Sequence, residues 1–153
     1  MNIDKVIIDT REKKIYHILK YLKKNNIQFE IKKIDSGDYS FWFRDKDYSN
    51  IFSIERKASL DELALNFTKT RKTFKEEFNR AKNRNQDIIL LVESNYKNIK
   101  MHNYRSKFHP NAFLASLKSW KEKGLIAEIY FGKKENTAEF MIKIFEQYIK
   151  KKL

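Results

Sequence analysis

The chain has 153 residues, of which 41% are hydrophobic and 14% aromatic, and its formal net charge is +13. This length and composition predict one compact domain, and they exclude a disordered or collagen-like chain. Because cysteine is absent, disulfides, thiolate catalysis and cysteine-bound zinc are excluded as well. The sequence shows no signal peptide and no run of about 18 apolar residues, so it predicts a cytoplasmic protein that is not associated with a membrane.

Apolar runs and turn signals alternate through the first part of the chain, as strands and helices do. In chain order, the pattern predicts these elements: a strand at 5–9, a helix from 14 that stops at 25–26, strands at 27–34 and 39–43, a polar hairpin loop at 44–50 and a strand at 51–55. Ser36-Gly37-Asp38 is a turn signal, so we expect Asp38 to lie at a turn between two strands.

The second part of the chain continues the same alternation. In chain order, it predicts these elements: a helix from 59, a basic helix within 69–84, a strand at 87–93, an irregular surface loop at 95–107, a helix from 110 to 124, a strand at 126–131 and a helix at 136–151. The strand at 87–93 is apolar on both faces, which is typical of a central parallel strand. The whole pattern predicts an α/β fold in which helices cover both faces of a sheet.

Basic residues are concentrated in one of these helices. They are Lys69, Arg71, Lys72, Lys75, Arg80, Lys82 and Arg84, opposed only by Glu76 and Glu77. Phe74 and Phe78 are four residues apart, so an aromatic face would pack inward and the basic residues would lie outward, along phosphates. The charge therefore favours a nucleic-acid partner, although lysine used simply as a soluble surface would give the same excess.

The predicted surface loop interleaves aromatic residues with cations. Its members are Tyr96, Tyr104 and Phe108 among Lys97, Lys100, Arg105 and Lys107. The aromatic rings could stack on unpaired bases, or they could pin the loop to the body of the protein. His102 and His109 flank this loop, but no acid or cysteine stands at ligand spacing around them, so no zinc site is predicted.

Acidic residues stand at the ends of predicted strands. Asp9 ends the first strand and Asp38 follows a glycine in a turn, while Glu55 and Lys57 lie where the strand at 51–55 closes. Half-buried charges are costly unless they are paired or metal-bound, so Asp9 could simply pair with Arg11 or Lys57 in a structural salt bridge. Alternatively, the carboxylates converge on one Mg²⁺, and the lysine orients water or balances charge on a phosphate. Restriction-type nucleases share this order of residues: an acid, then a second acid, any residue and a lysine.

These residues resemble the motif of a known family. Gly37-Asp38, followed by Glu55-Arg56-Lys57 and Asp61, reproduces GD…ERKxxxD, the signature of the XPF-type structure-specific endonucleases. Residues 6–12 resemble the (V/I)-D-x-R-E segment that opens that family's nuclease domain. The resemblance implies a restriction-endonuclease-like core, with a central mixed sheet flanked by helices. It also implies Mg²⁺ or Mn²⁺ and the hydrolysis of phosphodiester bonds near branches in DNA.

The resemblance further implies roles for individual residues. The catalytic residues would be Asp9, Asp38, Glu55 and Lys57, of which the first three would hold the metal. The supporting residues would be Arg11, Glu12, Arg56 and Asp61. Arg71 would contact phosphate, and the basic pattern adds the other expected DNA-binding residues, which are Lys69, Lys72, Lys75 and Arg105.

Partners and domain organisation follow from the same resemblance. Nuclease domains of the family commonly pair, so a homodimer is expected. The family's usual helix-hairpin-helix module is missing, so we expect a single nuclease domain over residues 1–153. The sequence has no Gly-rich phosphate loop, so no nucleotide cofactor is predicted. The leading hypothesis is a DNA endonuclease in repair or recombination. The alternatives are a non-cleaving DNA-binding module that acts as a partner subunit, and an RNA-directed hydrolase.

Overall fold

A mixed seven-stranded sheet forms the centre of the protein in a computed structural model that describes residues 2–153. The strands are β1 Lys5–Ile8, β2 Phe29–Ile31, β3 Tyr39–Phe43, β4 Lys46–Asp47, β5 Phe52–Lys57, β6 Asp87–Val92 and β7 Glu128–Phe131. Their order in the sheet is β2-β1-β3-β5-β6-β7, with β4 paired to β3. The pairs β1–β2, β5–β6 and β6–β7 are parallel, and β3 runs antiparallel to each of its neighbours.

Helices flank this sheet on both faces, which confirms the predicted α/β fold. They are α1 Tyr16–Lys24, α2 Leu60–Phe67, α3 Arg71–Asn83, α4 Tyr96–Lys100, α5 Pro110–Glu122 and α6 Thr137–Lys152, with a short 3₁₀ turn at Lys134–Asn136. Side chains of α1 and α6 form one core with one face of the sheet, and those of α2, α3 and α5 form a second core with the other. No helix among residues 2–153 is long and apolar enough to span a membrane.

The buried strand β5 separates these two cores. All six of its residues are buried, and alternate side chains point to opposite faces of the sheet. Phe52 and Ile54 pack into the core with α1 and α6. Glu55 and Lys57, which are two residues apart, therefore share the opposite face, below α2 and α3, whereas Arg56 points back towards α1.

Three segments differ from the sequence prediction. The strand expected at 27–34 is confined to Phe29–Ile31, because the backbone N–H of Ile34 donates to the Asp9 side chain instead of a neighbouring strand. The loop expected at 44–50 contains the short strand β4. The loop expected at 95–107 begins as helix α4, since the Asn95 side chain caps it by accepting from the Asn98 N–H.

Candidate active site

A cleft of about 440 Å³ opens between the sheet and helices α2 and α3. Asp38, Glu55, Lys57 and Glu77 line it, together with Glu12. The register of β3 and β5 explains why acids from separate segments meet here. Tyr39 pairs with Ile54 in an antiparallel ladder, so the residue before Tyr39 and the residue after Ile54 lie opposite each other. Those residues are Asp38 and Glu55.

The turn before Asp38 requires a glycine. Gly37 has φ +99°, and a Cβ there would lie 2.1 Å from the Ser53 Oγ. With this turn in place, the Asp38 N–H donates to the Ile54 carbonyl at 2.7 Å, and the Asp38 Oδ2 accepts from the Arg56 N–H at 2.8 Å. The turn therefore fixes the carboxylate of Asp38 against the end of β5.

Glu55 and Lys57 form a buried ion pair on the floor of the cleft. The Lys57 Nζ lies 2.9 Å from the Glu55 Oε2 and 4.8 Å from the centre of the Phe74 ring. The other carboxylate oxygen, Glu55 Oε1, is buried and has no hydrogen-bond partner among the described residues. An unpaired buried carboxylate oxygen is unfavourable, so this atom is a place where a cation would be stabilising.

The electrostatics of the cleft disfavour its negative charges. The pKa of Glu55 is raised to about 7, chiefly by burial; the attraction of Lys57 lowers this pKa and repulsion from the neighbouring carboxylate of Glu77 raises it. Burial, together with repulsion from Glu55 and then Glu12, raises the pKa of Asp38 well above its usual range. Burial alone would lower the pKa of Lys57, but Glu55 and Asp38 outweigh it, so that pKa is raised and the ammonium stays protonated at neutral pH.

These residues fit a hard divalent cation. Mg²⁺ in phosphate-processing sites typically takes one or two carboxylates and completes its octahedron with water and substrate oxygens. Asp38 and Glu55 supply two carboxylates, and the unpaired Glu55 Oε1 is an available ligand atom. Among residues 2–153, no three or more His, Cys, Asp or Glu side chains form a metal-binding group. The donor set is therefore small, and a bound substrate would have to complete it.

Asp9, the third expected metal ligand, lies beside Asp38 in the sheet, where its N–H donates to the Asp38 carbonyl at 2.8 Å, and its carboxylate is engaged by other groups. Its Oδ1 accepts from the Ile34 N–H at 2.7 Å, and its Oδ2 accepts from the Arg11 Nε at 2.7 Å and the Arg11 N–H at 3.2 Å. Burial raises the pKa of Asp9, but these bonds outweigh it, so the pKa is lowered. The carboxylate thus holds the turn after β1, and the pairing with Arg11 is the one that the sequence left open.

Arg56 lies on the opposite face of β5 from the cleft, at the centre of a buried polar network. Its Nε donates to the Glu12 Oε1 at 2.8 Å, and its Nη1 donates to the Glu93 Oε1 at 2.7 Å. The other Glu93 oxygen is bonded by His17 at 2.7 Å and by Thr137 at 2.6 Å. Arg56 and Glu12 therefore help to tie β5 to α1, β6 and α6, and their expected supporting role stays a prediction.

Two further predicted residues make internal contacts. The Asp61 Oδ1 accepts from the backbone N–H groups of Arg105 and Ser106, so Asp61 does not line the cleft. The Arg71 guanidinium donates to the Ser116 Oγ at 3.2 Å and lies 5.4 Å from the Trp120 ring. Arg71 is thus engaged with α5, and its expected contact with phosphate stays a prediction. The remaining predicted DNA-binding residues, Lys69, Lys72, Lys75 and Arg105, are at least partly exposed.

Sequence reasoning missed Glu77, which it treated only as a counter-charge within the basic helix. Its carboxylate lines the cleft, and its Oε2 accepts from the Gly37 N–H at 3.0 Å. The available signal was its position three residues after Phe74, which places both side chains on the inward face of α3.

Comparisons with known proteins agree with this architecture. Residues 8–144 match the model of the ERCC4 domain. XPF from Aeropyrum pernix aligns with a TM-score of 0.69 at 20% identity, over 94% of this chain and 60% of that chain. XPF from the same organism in complex with DNA aligns with a TM-score of 0.67 at 20% identity, over 98% of this chain and 67% of that chain.

At this identity the two structures show a shared fold, and the chain spans only about three fifths to two thirds of their length. A search of curated proteins returned no significant match. The family is instead shown by the domain model, whose match runs from the end of β1 into α6 and includes the whole cleft. The chain therefore belongs to the ERCC4-domain family, the XPF-type nuclease family whose signature its GD…ERKxxxD motif resembles.

Proposed function

We propose that the chain is a metal-dependent endonuclease that hydrolyses phosphodiester bonds in DNA. Branched duplexes such as flaps, forks and junctions are the proposed substrates, and repair or recombination the proposed setting. The observation that carries this proposal is the pairing of Asp38 and Glu55 across β3 and β5, beside Lys57 and with one Glu55 oxygen unpartnered. A family relative solved in complex with DNA supports the choice of substrate.

Asp38 and Glu55 are the residues that would hold Mg²⁺ or Mn²⁺. The ion, when bound, would activate water and neutralise the charge that develops on the phosphate. Asp9 would be the third ligand through its Oδ1, which among residues 2–153 accepts only the Ile34 N–H and keeps a free lone pair. Its Oδ2, bonded by Arg11, would hold this carboxylate in place at the turn after β1.

Lys57 acts in this proposal as a permanent cation. Its raised pKa excludes a role as general base at neutral pH, because a base must be able to accept a proton. The ammonium instead favours the ionised form of Glu55 over the neutral one and would stabilise negative charge on the phosphate in the transition state. Arg11, whose side chain is 63% exposed at the edge of the cleft, is a second cation able to contact that phosphate.

The basic surface of α3 supplies backbone contacts to the duplex. Lys72 is exposed and Lys75 is partly exposed on this helix, and Lys69 is exposed just before it. Each phosphate that a lysine neutralises releases condensed counterions, so these contacts would add affinity without reading sequence. The cleft would then receive the strand that these residues hold.

The test compares the parent with Asp38→Asn on labelled flap, fork, four-way and linear DNA, with Mg²⁺ or Mn²⁺ and a chelator control. Asp38→Asn should abolish cleavage and keep or tighten DNA binding, since it removes a negative charge near the phosphate. Glu76→Gln, which removes an exposed acid outside the cleft, is the matched control and should cut like the parent.

Three outcomes would change the proposal. If Asp38→Asn cuts as fast as the parent, the site is assigned incorrectly. If the parent binds DNA but cuts nothing with either metal, the chain is the non-cleaving module. If matched RNA duplexes are cut in preference to DNA, the substrate class is different. The expected homodimer remains a prediction, which sedimentation of the purified protein with and without DNA would check.

A further inference from the structure

A second basic surface lies outside the cleft. No Asp or Glu occurs between Glu93 and Glu122, and the intervening cations are Lys97, Lys100, Arg105, Lys107, Lys118 and Lys121. The first four are exposed, and none of them forms an ion pair within residues 2–153. Uncompensated cations concentrated in one segment are the electrostatic feature expected of a surface that meets a polyanion.

The loop 101–109, which carries Arg105 and Lys107, is held in a defined conformation. The Asp61 Oδ1 accepts from the Arg105 N–H at 2.9 Å and from the Ser106 N–H at 2.8 Å. The Tyr104 hydroxyl donates to the Phe108 carbonyl at 2.6 Å, and the Tyr104 ring packs edge-on against Phe113. The aromatic residues thus pin the loop to the body, and its cations need little further ordering to bind.

Asp61 connects this loop to the cleft. It lies in the first turn of α2, the helix that begins three residues after Lys57, and the next residue, Glu62, is 3.7 Å from the Lys57 Nζ. The loop and the catalytic strand therefore share one rigid support. We propose that the loop 101–109 is a second phosphate-binding surface for the duplex and that Asp61 is the residue that positions it. This inference rests on the proposed function for its choice of DNA as the ligand.

The geometry at Asp61 provides a discriminating substitution. Both backbone donors bond the same oxygen, Oδ1, and Asn retains a carbonyl oxygen at that place. Asp61→Asn should therefore keep the loop in position, whereas Asp61→Ala should release it. If Asp61 instead acted through its negative charge, as a metal ligand does, both substitutions would remove its function equally.

The first experiment measures DNA binding in chelator, where no cleavage occurs, over a range of salt concentrations. Arg105→Ala/Lys107→Ala is compared with Lys23→Ala/Lys24→Ala, which removes the same charge from α1 on the opposite face of the sheet. The loop variant should lower the slope of log affinity against log salt by about 2, one for each lost phosphate contact, and the control by less than half of that. Equal slopes for the two variants would overturn the proposal.

The second experiment compares the two variants of Asp61 with the parent. Asp61→Ala should bind duplex DNA more weakly and become open to trypsin after Lys100, Arg105 and Lys107, with an unchanged far-ultraviolet spectrum. Asp61→Asn should match the parent in binding, protection and cleavage. Loss of cleavage in Asp61→Asn with normal DNA binding would overturn the positioning role. A parent that never cuts DNA would remove the proposed activity but leave these binding results interpretable by themselves.

Discussion

Replacing Glu55 by Gln should make the metal-free protein more stable, even though it should abolish the proposed cleavage. The side chain of Glu55 is buried with one oxygen unpaired, and its charge is disfavoured although Lys57 lies 2.9 Å away. Burial and the neighbouring Glu77 raise its pKa from 4.5 to about 7, a balance that already includes the attraction of Lys57. An uncharged amide of the same shape avoids the cost of ionising this group in the folded protein.

The pKa shift gives the size and the pH dependence of this effect. A carboxyl group whose pKa is higher in the folded than in the unfolded protein costs no stability below the unfolded pKa. Above that pH the free energy of unfolding falls, and the loss is complete once the pH has risen through the folded pKa. At about 1.4 kcal/mol per pKa unit, ionised Glu55 lowers the free energy of unfolding by about 3 kcal/mol at pH 8 and by about 1 kcal/mol at pH 5. Near pH 4 the difference should vanish.

Urea unfolding in chelator at pH 4, 5 and 8 measures this difference, with Glu76→Gln as the exposed control. Glu55→Gln should be more stable than the parent by the amounts above, and the control should be within about 0.5 kcal/mol of the parent at every pH. Added Mg²⁺ should then stabilise the parent but not Glu55→Gln, because a ligand stabilises only the state that binds it. A variant less stable than the parent at pH 8, or a difference independent of pH, would show that the ion pair with Lys57 dominates and refute the reasoning.

Other substitutions test the scaffold of the site. Gly37→Ala should destabilise the fold by at least about 2 kcal/mol in urea unfolding, because it combines a positive φ with a steric clash. Gly124→Ala should cost less, because φ is positive there too but a Cβ would make only van der Waals contact. Arg56→Ala should cost about 3–5 kcal/mol in the same assay, since it leaves buried carboxylates unpaired; a loss below about 1 kcal/mol would contradict the network. Glu77→Gln should shift the acid limb of the pH–cleavage profile to lower pH, because Glu77 raises the pKa of Glu55; an unchanged limb, as expected for Glu76→Gln, would argue against that coupling.

Much of the fold and part of the site were determined by patterns that are local in the sequence. Apolar periodicity placed most strands and helices correctly, since both depend on the side chains within a few residues of each other. Glu55 and Lys57 are two residues apart in a buried strand, so the alternation of β5 alone puts them on one face. Gly37-Asp38 identified a turn because only glycine tolerates the backbone conformation and the close approach there.

Only the tertiary structure decided which distant groups meet these residues. The Asp9 carboxylate accepts a hydrogen bond from Ile34, which is 25 residues away, and the Arg71 guanidinium donates to Ser116, which is 45 residues away. Glu77 enters the cleft because the turn at Gly37 offers it an N–H donor across the fold. A side chain's direction is set by the partner that satisfies it, and such partners come from chain crossings that no local pattern encodes.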